Sequence, residues 1–352
     1  MSQLLTNLIR IGNVEIGAGR PVAIQSMTTS DTRDAEATIG QLRALREAGC
    51  DIARVAIPDM EAARAFGGIR GSAGMPLVAD IHFDYRLALE CIRQGADKVR
   101  INPGNIGGRD RVKQVADTAK ERGIPIRIGV NGGSLEKTLL EKYGGVTADA
   151  LCESAVNQAE MLNMCGFYDI VVSIKSSDVF LTVDACRLFD EKRTGIPQHI
   201  GLTESGALIA GLVKSTIALY ELLRRGIGDT LRVSLTGDHV EEVVAAKALL
   251  RALGRAAGVE IISCPTCGRC KVDMIPIVKD VERRILGIKT DRRIKAAIMG
   301  CAVNGPGEAR DADVGAACGA GKALLFKRGE PLYQVPQEQI ADALLREIES
   351  II

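Results

Sequence analysis

The stretch that decides the fold is residues 21–57, PVAIQSMTTSDTRDAEATIGQLRALREAGCDIARVAI. It opens on a short β-branched run, PVAIQSM. Ile39, Leu42 and Leu45 then recur at helical spacing, Gly49 supplies a helix stop, and a second run, DIARVAI, starts at Asp51. Strand, helix and strand in one span is the repeating unit of a parallel sheet. Similar runs begin at Pro76 (PLVADIH), Asp97 (DKVRIN), Ile124 (IPIRIGV), Tyr168 (YDIVVSI), Pro197 (PQHIGLT) and Thr230 (TLRVSLT). The spacing along this series is about 30 residues, the size of a βα unit, and eight such units make a (β/α)8 TIM-type barrel. A doubly wound open sheet, or two smaller α/β halves, would share the period. Helical patterning in the connections supports strands covered on their outer face, as where Leu208, Leu212, Ile217, Leu219 and Leu222 precede Gly226. After a last barrel helix over 240–258 the period is lost at Val259. The chain therefore reads as an α/β barrel over 1–258 followed by a smaller α+β domain over 259–352, which ends in a helix with Ile340, Leu344 and Ile348 on one face.

Composition narrows the function. Lys and Arg number 45 against 44 Asp and Glu, so the chain is not a polycation made to coat nucleic acid or anionic lipid, and any basic site is local. Aromatic residues are 3% of the chain with no Trp, which leaves Ala, Val, Ile and Leu to build the core and disfavours base-stacking platforms. No apolar run reaches membrane-spanning length and the first residues do not read as a secretory signal, so a soluble, cytoplasmic protein is expected.

In a barrel of this kind the chemistry lies at the C-terminal ends of the strands. There the sequence is rich in cations: Arg54 in the second strand, Arg100 near the end of the fourth, Arg127 in the fifth, Lys175 just after the sixth and Arg232 in the eighth. Any one of them is accounted for by a partner carboxylate, because a charge inside an apolar strand has to be paired. Five together point to a multiply charged anion, and the forked guanidinium of Arg suits phosphate. The loops NPGNIGG (102–108) and NGGSL (131–135) can present closely spaced backbone N–H groups to phosphate oxygens. Further polar groups fall at equivalent places: Gln25 and Ser26 after strand one, Asp80 and His82 after strand three, Asn131 after strand five and Ser234 in strand eight. Glu204, in GLTESG after strand seven, is the candidate proton donor, with a structural cap as the bland alternative.

Ten cysteines in a long chain read as thiols or metal ligands rather than a disulfide framework. Cys264 and Cys267 form a C-x-x-C at the entry to the second domain, and Cys301 follows in GCAVNGPGEA. The pattern fits a redox pair, a zinc site or an iron–sulfur cluster. A zinc ribbon would want a second C-x-x-C, or a histidine at ligand spacing, and no histidine follows His239. Cys270 extends the spacing to C-x-x-C-x-x-C and competes for a ligand role, and Cys318 is a further possibility. Cys50, Cys91, Cys152, Cys165 and Cys186 fall on barrel helices or their ends, where packing explains a thiol.

Taken together, VRINPGNIG, IRIGVNGGSLE, SIKSSD, LTESG, RVSLTGD, SCPTCGR and GCAVNGPGEA, in this order, closely resemble the family of 4-hydroxy-3-methylbut-2-enyl diphosphate synthases. The resemblance implies an oxidoreductase of isoprenoid biosynthesis. Its barrel would bind 2-C-methyl-D-erythritol 2,4-cyclodiphosphate through Arg54, Arg100, Arg127, Asn131, Lys175, Arg232 and Ser234, with Glu204 catalytic. Its second domain would carry a [4Fe-4S] cluster on Cys264, Cys267, Cys301 and Glu308, leaving Cys270 a bystander. It further implies electrons from a flavodoxin or ferredoxin and a head-to-tail homodimer, with no nucleic-acid or membrane partner. Without the resemblance, a redox-inactive barrel enzyme with a structural zinc fits the same residues.

Overall fold

A computed structural model describes residues 5–192, 194–301, 309–319 and 321–352. The chain divides into two compact units, Met1–Leu249 and Leu250–Ile352.

The first unit begins with an antiparallel hairpin, β1 (Ile9–Ile11) and β2 (Val14–Ile16). Eight parallel strands follow: β3 (Ala23–Met27), β4 (Ile52–Ala56), β5 (Leu77–Asp80), β6 (Lys98–Ile101), β7 (Ile126–Asn131), β8 (Ile170–Lys175), β9 (His199–Ile200) and β10 (Thr230–Leu231). Between and after them run α1 (Ala35–Ala48), α2 (Met60–Ala73), α3 (Tyr85–Arg93), α4 (Arg109–Arg122), α5 (Lys137–Tyr143), α6 (Ala148–Asn163), α7 (Val179–Glu191), α8 (Leu208–Leu223) and α9 (His239–Ala252). The hydrogen-bonded order is β8-β7-β6-β5-β4-β3-β10-β9, and a parallel bridge from Val172 to Gln198 joins the two ends into a barrel. All eight runs read from the sequence are barrel strands. Gly49 ends α1 in the left-handed region at φ 83°, where a β-carbon would be strained. Asp34, Asp59, Asp84 and Asp178 cap α1, α2, α3 and α7 by accepting a backbone N–H of the first turn.

Asp51, Asp97 and Asp229 stand just before β4, β6 and β10, and each accepts a backbone N–H from the neighbouring strand region, from Ile24, Leu77 and Gln198 respectively. These carboxylates tie the strand starts together. Inside the barrel at that end, Ala23, Ile52, Val78 and Val171 pack on Ile9, Ile11 and Ile16 of the hairpin, all nearly devoid of exposure. The hairpin is thus an apolar plug under the barrel. Three-residue strands have too little periodicity to be read, and the sequence had assigned them no element.

The last barrel helix stops at Ala252, six residues before the end expected for it, because the chain turns at Gly254 with φ 67°. The second unit is a mixed five-stranded sheet in the order β11 (Gly258–Ser263), β12 (Arg293–Met299), β13 (Val314–Cys318), β14 (Lys322–Lys327) and β15 (Glu330–Pro336). β11, β12 and β13 are parallel, whereas β14 and β15 return antiparallel. Helices α10 (Met274–Ile285) and α11 (Ile340–Glu349) cover one face through Met274, Val281, Ile285, Ile340, Leu344 and Ile348.

Candidate active site

Residues two apart on a strand share a face. Since Ala23, Ile52, Val78 and Val171 point into the barrel at its plugged end, Gln25, Arg54, Asp80 and Lys175 line the same interior nearer the mouth. The interior therefore changes from dry and apolar to strongly charged within one strand length. Lys98 and Arg100 alternate in this way on β6, as do Arg127, Gly129 and Asn131 on β7.

All five expected cations meet in this upper half. Lys175 is the last residue of β8 rather than the residue after it, while Arg232 and Ser234 lie just beyond β10 rather than within it, because β10 pairs over only two residues. Gln25 and Ser26 likewise belong to β3 itself. Three of the cations have carboxylate partners. Arg54 Nε lies 3.6 Å and Arg100 Nη1 3.2 Å from Asp80. Arg232 grips Glu242 of α9 with two bonds, Nε to Oε2 at 2.9 Å and Nη2 to Oε1 at 2.8 Å. Glu242 also accepts from Ser26 Oγ at 2.8 Å and from the Leu235 N–H at 3.1 Å. The other cations lack such partners. Arg127 Nε and Nη1 are buried without a hydrogen bond, and so is Arg100 Nε.

The sequence reading missed a sixth cation. Lys98 is fully buried on β6, and its amine donates only to Gln25 Oε1, at 3.3 Å. Its two-residue offset from Arg100 was the available signal. Beside it stands His199, also fully buried, with Nδ1 2.8 Å from Thr230 Oγ1 and Nε2 without a partner. Among the described residues, Arg54, Lys98, Arg100, Arg127, Lys175 and Arg232 are thus answered by two carboxylates, Asp80 and Glu242.

The electrostatics follow from that imbalance. Burial, then Arg127 and Arg54, holds the Lys98 amine well below its ordinary value, and burial with the same two arginines and Arg232 does so for Lys175. Burial and the surrounding cations, Lys175 first among them, keep His199 neutral. Although burial works the other way, Arg54, His82, Arg100 and Arg127 hold the Asp80 carboxyl far below the usual range. Basic groups held this close together, with two carboxylates among them, suit a multiply charged anion.

Two glycines make the crowding possible. A β-carbon at Gly129 would overlap the Arg100 guanidinium, and one at Gly201 would overlap the Arg232 carbonyl and stand 3.0 Å from Lys175 Nζ. Toward the mouth, a cavity of about 580 Å³ is lined by His82, Phe83, Arg100, Asn102, Asn131 and Ser134, within the range that takes a small organic ligand. The two glycine-rich loops meet here: Asn102 accepts the Gly104 N–H at 3.0 Å and donates to Ser134 Oγ at 3.5 Å. Glu204 sits exposed on the loop after β9 with φ 54°, a left-handed conformation uncommon outside glycine. Its loop is tied down by Ser205 Oγ, which donates to the Ser234 carbonyl, and by the Thr203 N–H, which donates to the Ser176 carbonyl at 3.2 Å. Strain secured in this way is found at functional positions.

In the second unit the thiols gather where the three parallel strands end. Cys264 follows β11, Cys301 lies two residues after β12, and Cys318 closes β13. The Gly300 N–H donates to Cys264 Sγ at 3.2 Å, the Gly300 carbonyl accepts the Lys271 N–H at 2.9 Å, and a side chain at 300 would strike the sulfurs of Cys270 and Cys264. The Cys318 thiol is pushed up to about 12 by burial and by Cys270, Cys264 and Cys301 around it. Cys267 is exposed on the intervening loop, where backbone and side-chain donors of Arg269 lower its thiol. Cys270 therefore lies closer to Cys264 than a bystander on a free loop would. Glu308 lies outside the described residues. Cys50, Cys91, Cys152 and Cys186 are buried in the barrel, consistent with packing. Among the described residues no helix is long and apolar enough to cross a membrane.

Comparison with known proteins covers both units. The profile of the GcpE TIM-barrel domain matches residues 6–247, and that of the GcpE protein C-terminal domain matches residues 260–350. The chain is 53% identical over 347 residues to a protein of Caldicellulosiruptor saccharolyticus named 4-hydroxy-3-methylbut-2-en-1-yl diphosphate synthase (flavodoxin), with 99% of each chain covered. It is 52% identical over 352 residues to the protein of that name from Clostridium tetani, with 100% of each covered. Among solved structures, a truncated 3-deoxy-D-arabino-heptulosonate 7-phosphate synthase from Thermotoga maritima aligns over 71% of this chain and 94% of its own, at TM-score 0.51 and 17% identity. At that identity the likeness speaks to the barrel fold alone.

Proposed function

The chain belongs to the GcpE family, and from that membership we infer that it is an oxidoreductase carrying out the reaction its relatives are named for. It opens 2-C-methyl-D-erythritol 2,4-cyclodiphosphate to (E)-4-hydroxy-3-methylbut-2-enyl diphosphate, a step of isoprenoid biosynthesis, with two electrons from a flavodoxin. The observation that carries this reading is the charge imbalance in the upper barrel, where unpartnered Arg127 donors and the Lys175 amine stand ready for an anion. Arg54, Arg100, Arg127, Lys175 and Arg232 bind the diphosphate, and Asn131 and Ser234 orient it with neutral hydrogen bonds. Binding takes the place of water on these donors and removes the mutual repulsion of the cations. Glu204 delivers a proton to the oxygen that leaves as water.

The chemistry of the donors in the second unit suits an iron–sulfur group: soft thiols near adjacent strand ends, with Cys264 and Cys270 against a glycine whose side chain would strike them, although among the described residues no three of them are drawn together as a metal would hold them. Cys264, Cys267 and Cys301 would hold it, with Glu308 as the fourth ligand of a [4Fe-4S] form. When bound, such a cluster supplies reducing equivalents one electron at a time, matching a one-electron donor protein. The same reading takes the chain as a cytoplasmic enzyme, where thiol ligands stay reduced, working as a head-to-tail homodimer.

Anaerobic reconstitution followed by metal analysis and turnover with reduced flavodoxin tests the proposal. About four irons per chain, visible absorption and formation of the linear diphosphate are expected. Stoichiometric zinc in a colourless protein that leaves the cyclic diphosphate untouched would overturn it.

A further inference from the structure

Among the described residues, Lys98 is the buried basic side chain to which the proposed reaction gives no work. It is fully buried, its side chain lies on the interior face two residues below Arg100, and its single hydrogen bond goes to a neutral amide, Gln25. The charged and titratable groups around it are Arg54 of β4, Arg127 of β7 and His199 of β9. Neither carboxylate of the cavity reaches it by hydrogen bond: Asp80 serves Arg54 and Arg100, and Glu242 serves Arg232. A lysine retained in such a place without a counter-charge is costly to stability, so its presence calls for a charge that arrives from outside.

The reaction creates such a charge. In the cyclic diphosphate each phosphorus bears one ionised oxygen, so the ligand is a dianion. On opening, a carbon–oxygen bond breaks, its oxygen remains on phosphorus, and that terminal group carries two ionised oxygens. Two electrons from the flavodoxin and one proton enter, water leaves, and the ligand becomes a trianion.

Resting on the function proposed above, we propose that Lys98 is a positioning residue for ring opening: its amine, in the floor of the cation chamber, takes one further proton from solvent as the linear diphosphate forms and offsets the added negative charge. Fully buried, with the Gln25 amide oxygen as its hydrogen-bond acceptor and Arg54, Arg127 and His199 around it, the amine is disfavoured as an ammonium in the free chain, and this leaves room for that proton.

The test is calorimetric titration of the cluster-loaded chain at pH 8, in two buffers of different ionisation enthalpy, with no reductant present. One probe is the cyclic substrate and the other is methyl diphosphate, which is trianionic at that pH. Wild type should take up about one proton more per chain with methyl diphosphate than with the cyclic substrate. In Lys98→Met that difference should vanish, affinity for methyl diphosphate should fall roughly tenfold, affinity for the cyclic substrate should hold, and kcat should drop without a matching rise in KM. Lys98→Arg, charged at all times, should regain methyl diphosphate affinity without proton uptake, and it tests the proposal by itself if the Met variant does not fold. Equal uptake in wild type and Lys98→Met would overturn the role and leave the proton to Lys175 or His199. Failure of the wild-type chain to bind either probe would instead overturn the diphosphate site itself.

Discussion

The two units assemble reactive groups at the same place, the C-terminal ends of parallel strands, by opposite means. In the barrel the groups are side chains of the strands or of residues adjoining them, such as Arg54, Arg100, Arg127 and Lys175, and their positions are inherited from the sheet. In the second unit the groups sit past the strand ends, and backbone hydrogen bonds around Gly300 hold them. The barrel side chains are therefore placed by the sheet before any ligand arrives, and their cost is electrostatic: more buried basic groups than Asp80 and Glu242 can pair. The thiol site stores no such charge and would take its final order from the metal group proposed for it. Removing an unpaired barrel cation such as Arg127 should thus stabilise the fold and harm function, whereas removing a thiol that holds the metal should harm function by losing it.

Four measurements would break or sharpen that contrast. The largest effect is expected for Cys301→Ser, which should lose iron and visible absorption and fall below detectable turnover while the barrel still binds the cyclic substrate; iron retained at the wild-type level would remove Cys301 from the ligand set. Next, Arg127→Met should raise KM for the cyclic diphosphate by about 10- to 100-fold while raising the thermal midpoint of the ligand-free chain, since an unpaired buried charge is replaced by an apolar chain of similar length. A lowered midpoint would show that Arg127 is structurally paired after all. Gly129→Ala should displace the Arg100 guanidinium and cost about 1–3 kcal/mol of stability with a moderate loss of activity, measurable by denaturant unfolding and steady-state kinetics. Unchanged values in both would mean that Arg100 moves aside freely. The smallest change is expected for Cys270→Ser, which should keep iron, absorption and turnover. Loss of the cluster there would move the third thiolate from Cys267 or Cys301 to Cys270, whose sulfur stands against Gly300 beside Cys264.

The barrel mouth should also respond to pH in one direction. The Asp80 carboxyl is held far below its unfolded value, so its contribution to stability is complete above about pH 4 and is lost as pH falls toward the depressed folded value. Unfolding midpoints of wild type should therefore fall more steeply below pH 4 than those of Asp80→Asn, and parallel curves would show that its pairs with Arg54 and Arg100 contribute nothing.

What could be read from the chain differs between the regions for physical reasons. The eight barrel strands were legible because each is a β-branched run bounded by helix caps and glycine stops, and those are local signals. Cations at strand ends were legible because charge in an apolar run is unusual. Their partners were not: Glu242 lies on a helix and meets Arg232 only after the barrel closes, and Lys98 looks like an ordinary polar strand start until its neighbours bury it. His199 was hidden in the same way. In the second unit C-x-x-C spacing marked a metal site, but spacing is silent on which third thiol lies nearest.

The sequence by itself determined a series of eight parallel βα units followed by a smaller cysteine-bearing domain, because hydrophobic period and turn chemistry act over a few residues, while closure of the sheet into a barrel was left to the structure. Only the tertiary structure decided that the barrel interior is apolar at the plugged end and crowded with basic groups at the mouth, with Arg54, Arg100 and Arg232 paired, Lys98 on a neutral amide and Arg127 donors without a partner. Charge balance is a property of groups far apart in the chain, and it exists only once the fold has brought them together.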